Sequence, residues 1–140
     1  TNLNNNTNLN NNIINYLNEL NIKILIKFPS KYRIKKCIDC IKKYIHLSNN
    51  IKNIKIIVSL DKDDIDSLSY IKYIESIHSN IIIKVGYSNS KIEANNRDIP
   101  DTNSFDILLL ASDDMIPIIK GYDDIIRFYM IKNYIDGLII

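Results

Sequence analysis

The sequence predicts an α/β domain built on an open, mostly parallel sheet with helices on both faces. Three observations lead there. Short apolar runs of strand character recur at Ile22 to Phe28, Ile54 to Leu60, Ile81 to Val85 and Ile107 to Ala111. Segments with helical spacing separate them, and strands alternating with helices imply parallel pairing through right-handed crossovers. The length, 140 residues of which 46% are hydrophobic, suffices for one core but hardly two.

Residues 1 to 12 hold eight asparagines and only two apolar residues, both Leu. Such a stretch buries too little surface to offset the entropy of ordering it, so it reads as a linker or disordered leader ahead of a domain at 13 to 140. Ile13, Ile14, Leu17 and Leu20 then repeat at helical spacing. The run from Ile22 to Phe28, with Lys23 and Lys27 interspersed, reads as the first strand, ended by Pro29-Ser30. Residues 31 to 47 follow as a helix, with Ile34, Cys37, Ile38, Ile41 and Ile45 in one stripe.

A strand at Ile54 to Leu60, a helix around Leu68 to Ile77 and a strand at Ile81 to Val85 repeat the alternation. Lys91 to Ile99 reads as a short helix broken by Pro100, and Asp101 to Phe105 as a loop. Ile107 to Ala111 is the most apolar run, which places it at the centre of the sheet. A helix from about Asp123 to Tyr134 and a last strand opening at Gly137 complete the order. The chain begins without Met and stops inside an apolar run, so it is expected to be an excerpt of a longer protein.

Eighteen basic residues against sixteen acidic ones leave a net charge of +2, too small to indicate a nucleic-acid partner. The distribution is more informative. Seven cations between Lys27 and Lys43 meet only Asp39, whereas acids cluster at Asp61 to Asp66, Asp113-Asp114 and Asp123-Asp124. Such blocks suit an anionic ligand held partly through a cation. No apolar run approaches the roughly 18 residues that span a bilayer. Cys37 and Cys40 cannot make a disulfide framework and lack the second pair of a zinc ribbon; core packing explains them, and a reducing, cytoplasmic setting follows as the default. His46 and His78 stand near helix ends without a partner at ligand spacing, and no nucleophile set can be assembled.

In an open parallel sheet, ligands gather beyond the carboxyl ends of the strands. That rule selects four exits: Pro29-Ser30, Asp61 to Asp64, Gly86 to Ser90 and Ser112 to Asp114. Asp113-Asp114 offers two adjacent carboxylates suited to Mg²⁺ or Mn²⁺, with a helix cap or solvated turn as the plain alternative. Asp61 can accept the imide N–H of a uracil ring, although the acids at 61 to 64 also suit the start of a helix. Ser88 to Asn96 places Lys91 at a helix start where phosphate or a base carbonyl would fit. Lys31 and Arg33 lie at the first exit, while the other cations of the first helix read as a solvated face.

Taken together, Ile26 to Ser30 with Arg33, Ser59 with Asp61, Asp63 and Asp64, Ser90 to Ala94 with Asn96, and Leu109 to Met115 with Gly121-Tyr122-Asp123 resemble a glycosyltransferase family. It is the family-2-like group with a Rossmann-like, three-layer GT-A fold found in large DNA viruses and microbes. The resemblance runs from about Ile22 to Ile140. It implies a nucleotide-diphospho-sugar donor, commonly a UDP-sugar, an acceptor of unknown kind, and Mn²⁺ or Mg²⁺. By that resemblance Asp61 contacts the base, Lys91 and Asn96 line the nucleotide pocket, and Asp113 and Asp114 are the ribose and metal carboxylates, with Asp114 the closer metal ligand. Pro29, Ser30 and Arg33 match the loop at which the backbone approaches the nucleoside.

The sequence departs from the family pattern in that loop, where Tyr32-Arg33-Ile34 replaces a Gly-Arg-Pro run. The resemblance also implies an acceptor-binding half after Ile140, together with any catalytic base. Two rival readings follow: a donor-binding part of a transferase, and a degenerate or truncated module that holds nucleotide without transfer. A nucleotidyltransferase would call for a glycine-rich loop after the first strand, and Pro29-Ser30-Lys31-Tyr32 is not one.

Overall fold

The computed structural model describes residues 9–133. The strand expected at 137–140 and most of the Asn-rich leader lie outside them. The first helix, α1 (Asn11–Leu20), starts earlier than its apolar spacing suggests, inside the expected leader. Asn10 explains the difference. Its side-chain oxygen accepts the Ile13 N–H at 2.9 Å, the bond an N-cap asparagine makes to a helix's unpaired first turn. At the other end Asn21 closes the helix in the left-handed conformation, which Asn tolerates better than most residues.

The sheet comprises β1 (Ile24–Ser30), β2 (Ile54–Asp61), β3 (Ile81–Gly86) and β4 (Ile107–Leu110), all parallel and ordered β3-β2-β1-β4. Helix α2 (Ile34–His46) follows β1; α3 (Ile65–Leu68) and α4 (Ile71–Ile77) follow β2; α5 (Lys91–Asn96) follows β3; and α6 (Tyr122–Asn133) closes the described chain. The fold is therefore α/β with helices flanking a parallel sheet, as the alternation predicts. Short 3₁₀ turns at Ile51–Asn53 and Thr102–Ser104 occupy connections, the second within the expected 101 to 105 loop. The single helix expected at 68 to 77 is two, because Asp64 caps an earlier turn at Ile65.

One expectation is overturned. Among the described residues β4 is an edge strand, bonded to β1 alone, whereas β1 and β2 are interior. An all-apolar run is the usual mark of a strand buried on both faces, yet of β4 only Ile107 is buried and Leu110 is 43% exposed. The interior strands looked less apolar because they carry Lys27 and Ser59.

Strand parity divides the core. Ile24, Ile26 and Phe28 of β1, with Ile54, Ile56, Val58 and Leu60 of β2, pack in one apolar cluster with Ile34, Cys37, Ile38, Ile41 and Tyr44 of α2 and Ile74 of α4. Edge-to-face contacts from Phe28 to Tyr44 and from Tyr44 to Tyr122 carry the cluster towards α6. The alternate residues Leu25, Lys27, Ile57 and Ser59 are buried on the opposite face. Pro29 extends β1 without penalty. Residue 27 directs its carbonyl at Ala111, so the missing N–H of residue 29 would point to the same side, beyond the last β1–β4 pair.

A buried ionic staple fixes α6. Arg127 bonds Asp123 at 2.6 Å and Asp124 at 2.9 Å, and its remaining donors reach the carbonyls of Ile22, Asn50 and Asn53. Asp123 accepts the backbone N–H of Asn49 and of Asn50. All three charged residues are at most 1% exposed, so desolvation is offset only because nearly every lone pair and donor is used. Among the described residues no helix is long and apolar enough to cross a membrane.

Candidate functional site

The chain runs from β1 to β2 on one side and adds β4 on the other, so the strand order reverses between β1 and β4. A cleft of about 480 Å³ opens at the carboxyl ends of the strands, where such a reversal leaves a crevice. All four exits selected from sequence meet there: Pro29, Ser30, Lys31 and Arg33 after β1; Asp61 at the end of β2; Ser88 to Lys91 with Ala94 after β3; and Ser112 to Asp114 after β4.

Each wall has a local cause. After β1 the backbone turns through Tyr32 at φ 62°, a left-handed conformation that disfavours a Cβ. The Asp64 carboxylate holds the turn by accepting the Tyr32 N–H while also capping α3 through Ser67. Burial pushes the Asp64 carboxyl up, but the bonds from the Ser67 hydroxyl and from the Tyr32 and Ser67 N–H groups outweigh it and leave it below the usual range. Asp64 is thus a structural anchor, whereas Asp61, three residues earlier, faces the cleft.

Asp61 is charged and well supported. The Asp63 N–H, donated at 2.9 Å, is the main cause that holds its carboxyl below the usual range, with Lys31 at 3.3 Å adding to it. Lys31 is raised in turn, chiefly by its bond to Asp61. The result is a carboxylate acceptor beside a mobile-headed cation, a pair able to receive a polar N–H and a neighbouring anion.

After β4, Ser112 to Met115 form a turn closed by the Met115 N–H on the Ser112 carbonyl at 3.0 Å. Tyr44 braces it from below, its hydroxyl donating to the Met115 carbonyl at 2.6 Å, and the Cys40 thiol lies at 3.5 Å from the same oxygen. Asp113 and Asp114 project from this turn towards one guanidinium: Arg33 Nη1 is 3.5 Å from Asp113 and 3.8 Å from Asp114. The two carboxylates differ in access, since the Asp113 side chain is 12% exposed and that of Asp114 is 73%.

These two carboxylates fit a divalent ion only in part. Among the described residues no group of three or more His, Cys, Asp or Glu side chains converges. A closed protein cage is therefore absent from the described residues, but Mg²⁺ commonly takes one or two carboxylates and completes its shell with substrate phosphate and water. Asp113 and Asp114 match that open donor set, and Arg33 offsets one of their two negative charges.

Asn96 does not line the cleft. Lys91 and Ala94, three apart, share the helix face that meets it; Asn96, five residues from Lys91, falls on another face and is exposed. Arg97 takes its place. Its Nη2 donates to the Leu60 carbonyl at 3.0 Å and its Nε pairs with the Asp98 carboxylate at 3.6 Å, beyond hydrogen-bond distance, while Nη1 is buried without a hydrogen-bond acceptor among the described residues. Ser88 Oγ is likewise buried and unpaired among them. Unsatisfied donors beside a polar cleft are the groups that a ligand or ordered water completes.

Two residues here escaped the sequence reading: Arg97, and Lys27 beneath the cleft. Lys27 offered the signal of a cation inside an apolar strand run, which it shared with Lys23. Cys37 and Cys40 are free and buried, as core packing requires, and burial pushes their thiols up to about 12 and about 11, so neither supplies a thiolate. Comparison with protein-family models yields no match, and comparison with curated proteins yields none of significant similarity.

Proposed function

We propose that the cleft is the donor site of a glycosyltransferase that takes a nucleotide-diphospho-sugar, with UDP as the nucleotide. One observation carries the reading: four separate strand exits bring the Asp61 carboxylate, the adjacent carboxylates of Asp113 and Asp114, and several cations to one crevice. Asp61 accepts the imide N–H of the base, a contact that rejects rings lacking the donor. Lys31, Arg33, Lys91 and Arg97 surround the diphosphate with positive charge. Asp113 and Asp114 hold the divalent ion, Asp114 being the more open of the two. Mn²⁺ or Mg²⁺ bound there would neutralise charge on the departing diphosphate.

A second reading, a nucleotide-binding module without transfer, is favoured by Arg33, which already stands beside both carboxylates, offsets one of their charges and could serve the phosphates without a metal. Calorimetric titration of UDP with and without Mn²⁺, repeated on Asp114→Ala, separates the two. The donor-site reading expects Mn²⁺ to tighten binding by about tenfold or more and the substitution to abolish that gain, as for a charge-assisted contact. Metal-independent binding, unchanged in the variant, would favour the module; no binding by the folded chain would sink both.

A further inference from the structure

Lys27 is 0% exposed, in the middle of an interior strand, and is among the largest fully buried side chains of the protein. A buried ammonium without partners is costly, and an apolar residue would fill the same strand position with no such cost. Its partners explain what it does instead. Nζ donates to Ser59 Oγ at 2.6 Å and to the Ala94 carbonyl at 2.9 Å. Ser59 Oγ passes the connection on, donating to Asp98 at 2.9 Å.

The recipient helix has little else to hold it. No residue of α5 is buried, so apolar packing contributes little to seating it on the sheet. Ala94 belongs to its last turn, whose carbonyls find no donor within a helix, and the ammonium supplies one with the charge that a helix C-terminus favours. Asp98, which follows α5, takes a left-handed backbone at φ 69°, and the turn there leaves its carboxylate against Ser59. Together with the Arg97 bond to Leu60, these polar contacts seat the wall that carries Ser90, Lys91 and Ala94.

We propose that Lys27 is a positioning residue of the cleft, its buried ammonium fixing the α5 wall to β1 and β2 through Ala94, Ser59 and Asp98. Its consequence for nucleotide binding rests on the donor-site reading. Burial pushes Lys27 down to about 8, opposed by Asp98 and reinforced by Arg97. Those two supply the charges facing it from the segment after α5; β2 presents the neutral Ser59, and the β4 register partner is the apolar Leu110. A diphosphate in the cleft favours the charged lysine, so by linkage UDP affinity falls as pH rises through that value.

The test is hydrogen exchange on Lys27→Met and on Asp98→Asn, at fixed pH. In Lys27→Met the amides of 91–98 should exchange about tenfold faster or more, the loss expected for hydrogen bonds to a charged group, while β1 and β2 keep their protection. Asp98→Asn should accelerate the same segment less, and it decides the matter if Lys27→Met does not fold. Unchanged protection at 91–98, or equal acceleration throughout the sheet, would overturn the proposal. With UDP and Mn²⁺, the wild-type affinity should drop across pH 8 and the Lys27→Met affinity should not; a drop that persists in the variant removes the link to binding. Absence of UDP binding by the wild type would instead refute the donor-site reading and leave exchange to judge the positioning role by itself.

Discussion

Two aspartate pairs stand ten residues apart in the sequence, and they have opposite fates. Asp123-Asp124 is buried to within 1% and saturated: Arg127 sits at 2.6 and 2.9 Å, and two backbone N–H groups occupy Asp123. Asp113-Asp114 lies on a turn at the cleft and faces one guanidinium at 3.5 and 3.8 Å, with the Asp113 side chain 12% exposed and that of Asp114 73%. Adjacent carboxylates therefore become a staple where the fold supplies enough donors, and a candidate ligand site where it does not. Asp64 and Asp61, three residues apart and both buried, repeat the contrast in how they are used: the first is spent on Ser67 and Tyr32, while the second lines the cleft with Lys31 at 3.3 Å.

The contrast is sharpest in stability. Arg127→Met leaves two buried carboxylates without their cation and should cost about 3–5 kcal/mol in urea unfolding, or prevent folding. A loss under about 1 kcal/mol would mean the staple is not holding α6 in place. Acid should act next. Because the Asp64 carboxyl is held below its ordinary 3.8, its contribution is present above that value and disappears as pH falls through the folded one. Urea midpoints between about pH 2 and 5 should decline less steeply in Asp64→Asn. An equally steep decline would assign the acid sensitivity to other carboxylates. The smallest effect belongs to the open member of the other pair: Asp114→Asn should change stability by less than about 0.5 kcal/mol, since its side chain is 73% exposed and an exposed contact with Arg33 contributes little. A larger loss would make that turn structural and erase the distinction.

The alternation of periods in the sequence sufficed for the parallel sheet, because strand and helix repeats differ whatever the tertiary context. The four exits were legible for the same reason, and they converge on one cleft. Position within the sheet was not legible: β4 is an edge among the described residues although it reads as the most apolar strand. Hydrophobicity reported neither position nor burial there: of β4 only Ile107 is buried, whereas the strands at the centre bury Lys27 and Ser59. Nor could local pattern separate Asn96 from Arg97, since a one-residue change turns a side chain by about 100° around a helix, and the helix itself ends there. Nor did the sequence mark the left-handed turn at Tyr32, whose φ of 62° is a conformation that glycine adopts more readily than tyrosine.

At Gly86 the missing side chain is as informative as any that is present. A Cβ built there would stand 2.0 Å from Arg97 Nη1 and 3.2 Å from its Cζ. The guanidinium lies where one more carbon on β3 would be, so residues 86 and 97 form a matched couple. The atom met is the far end of a flexible side chain, so an alanine at 86 can be accommodated, but only by moving the guanidinium away from its place against the end of β2.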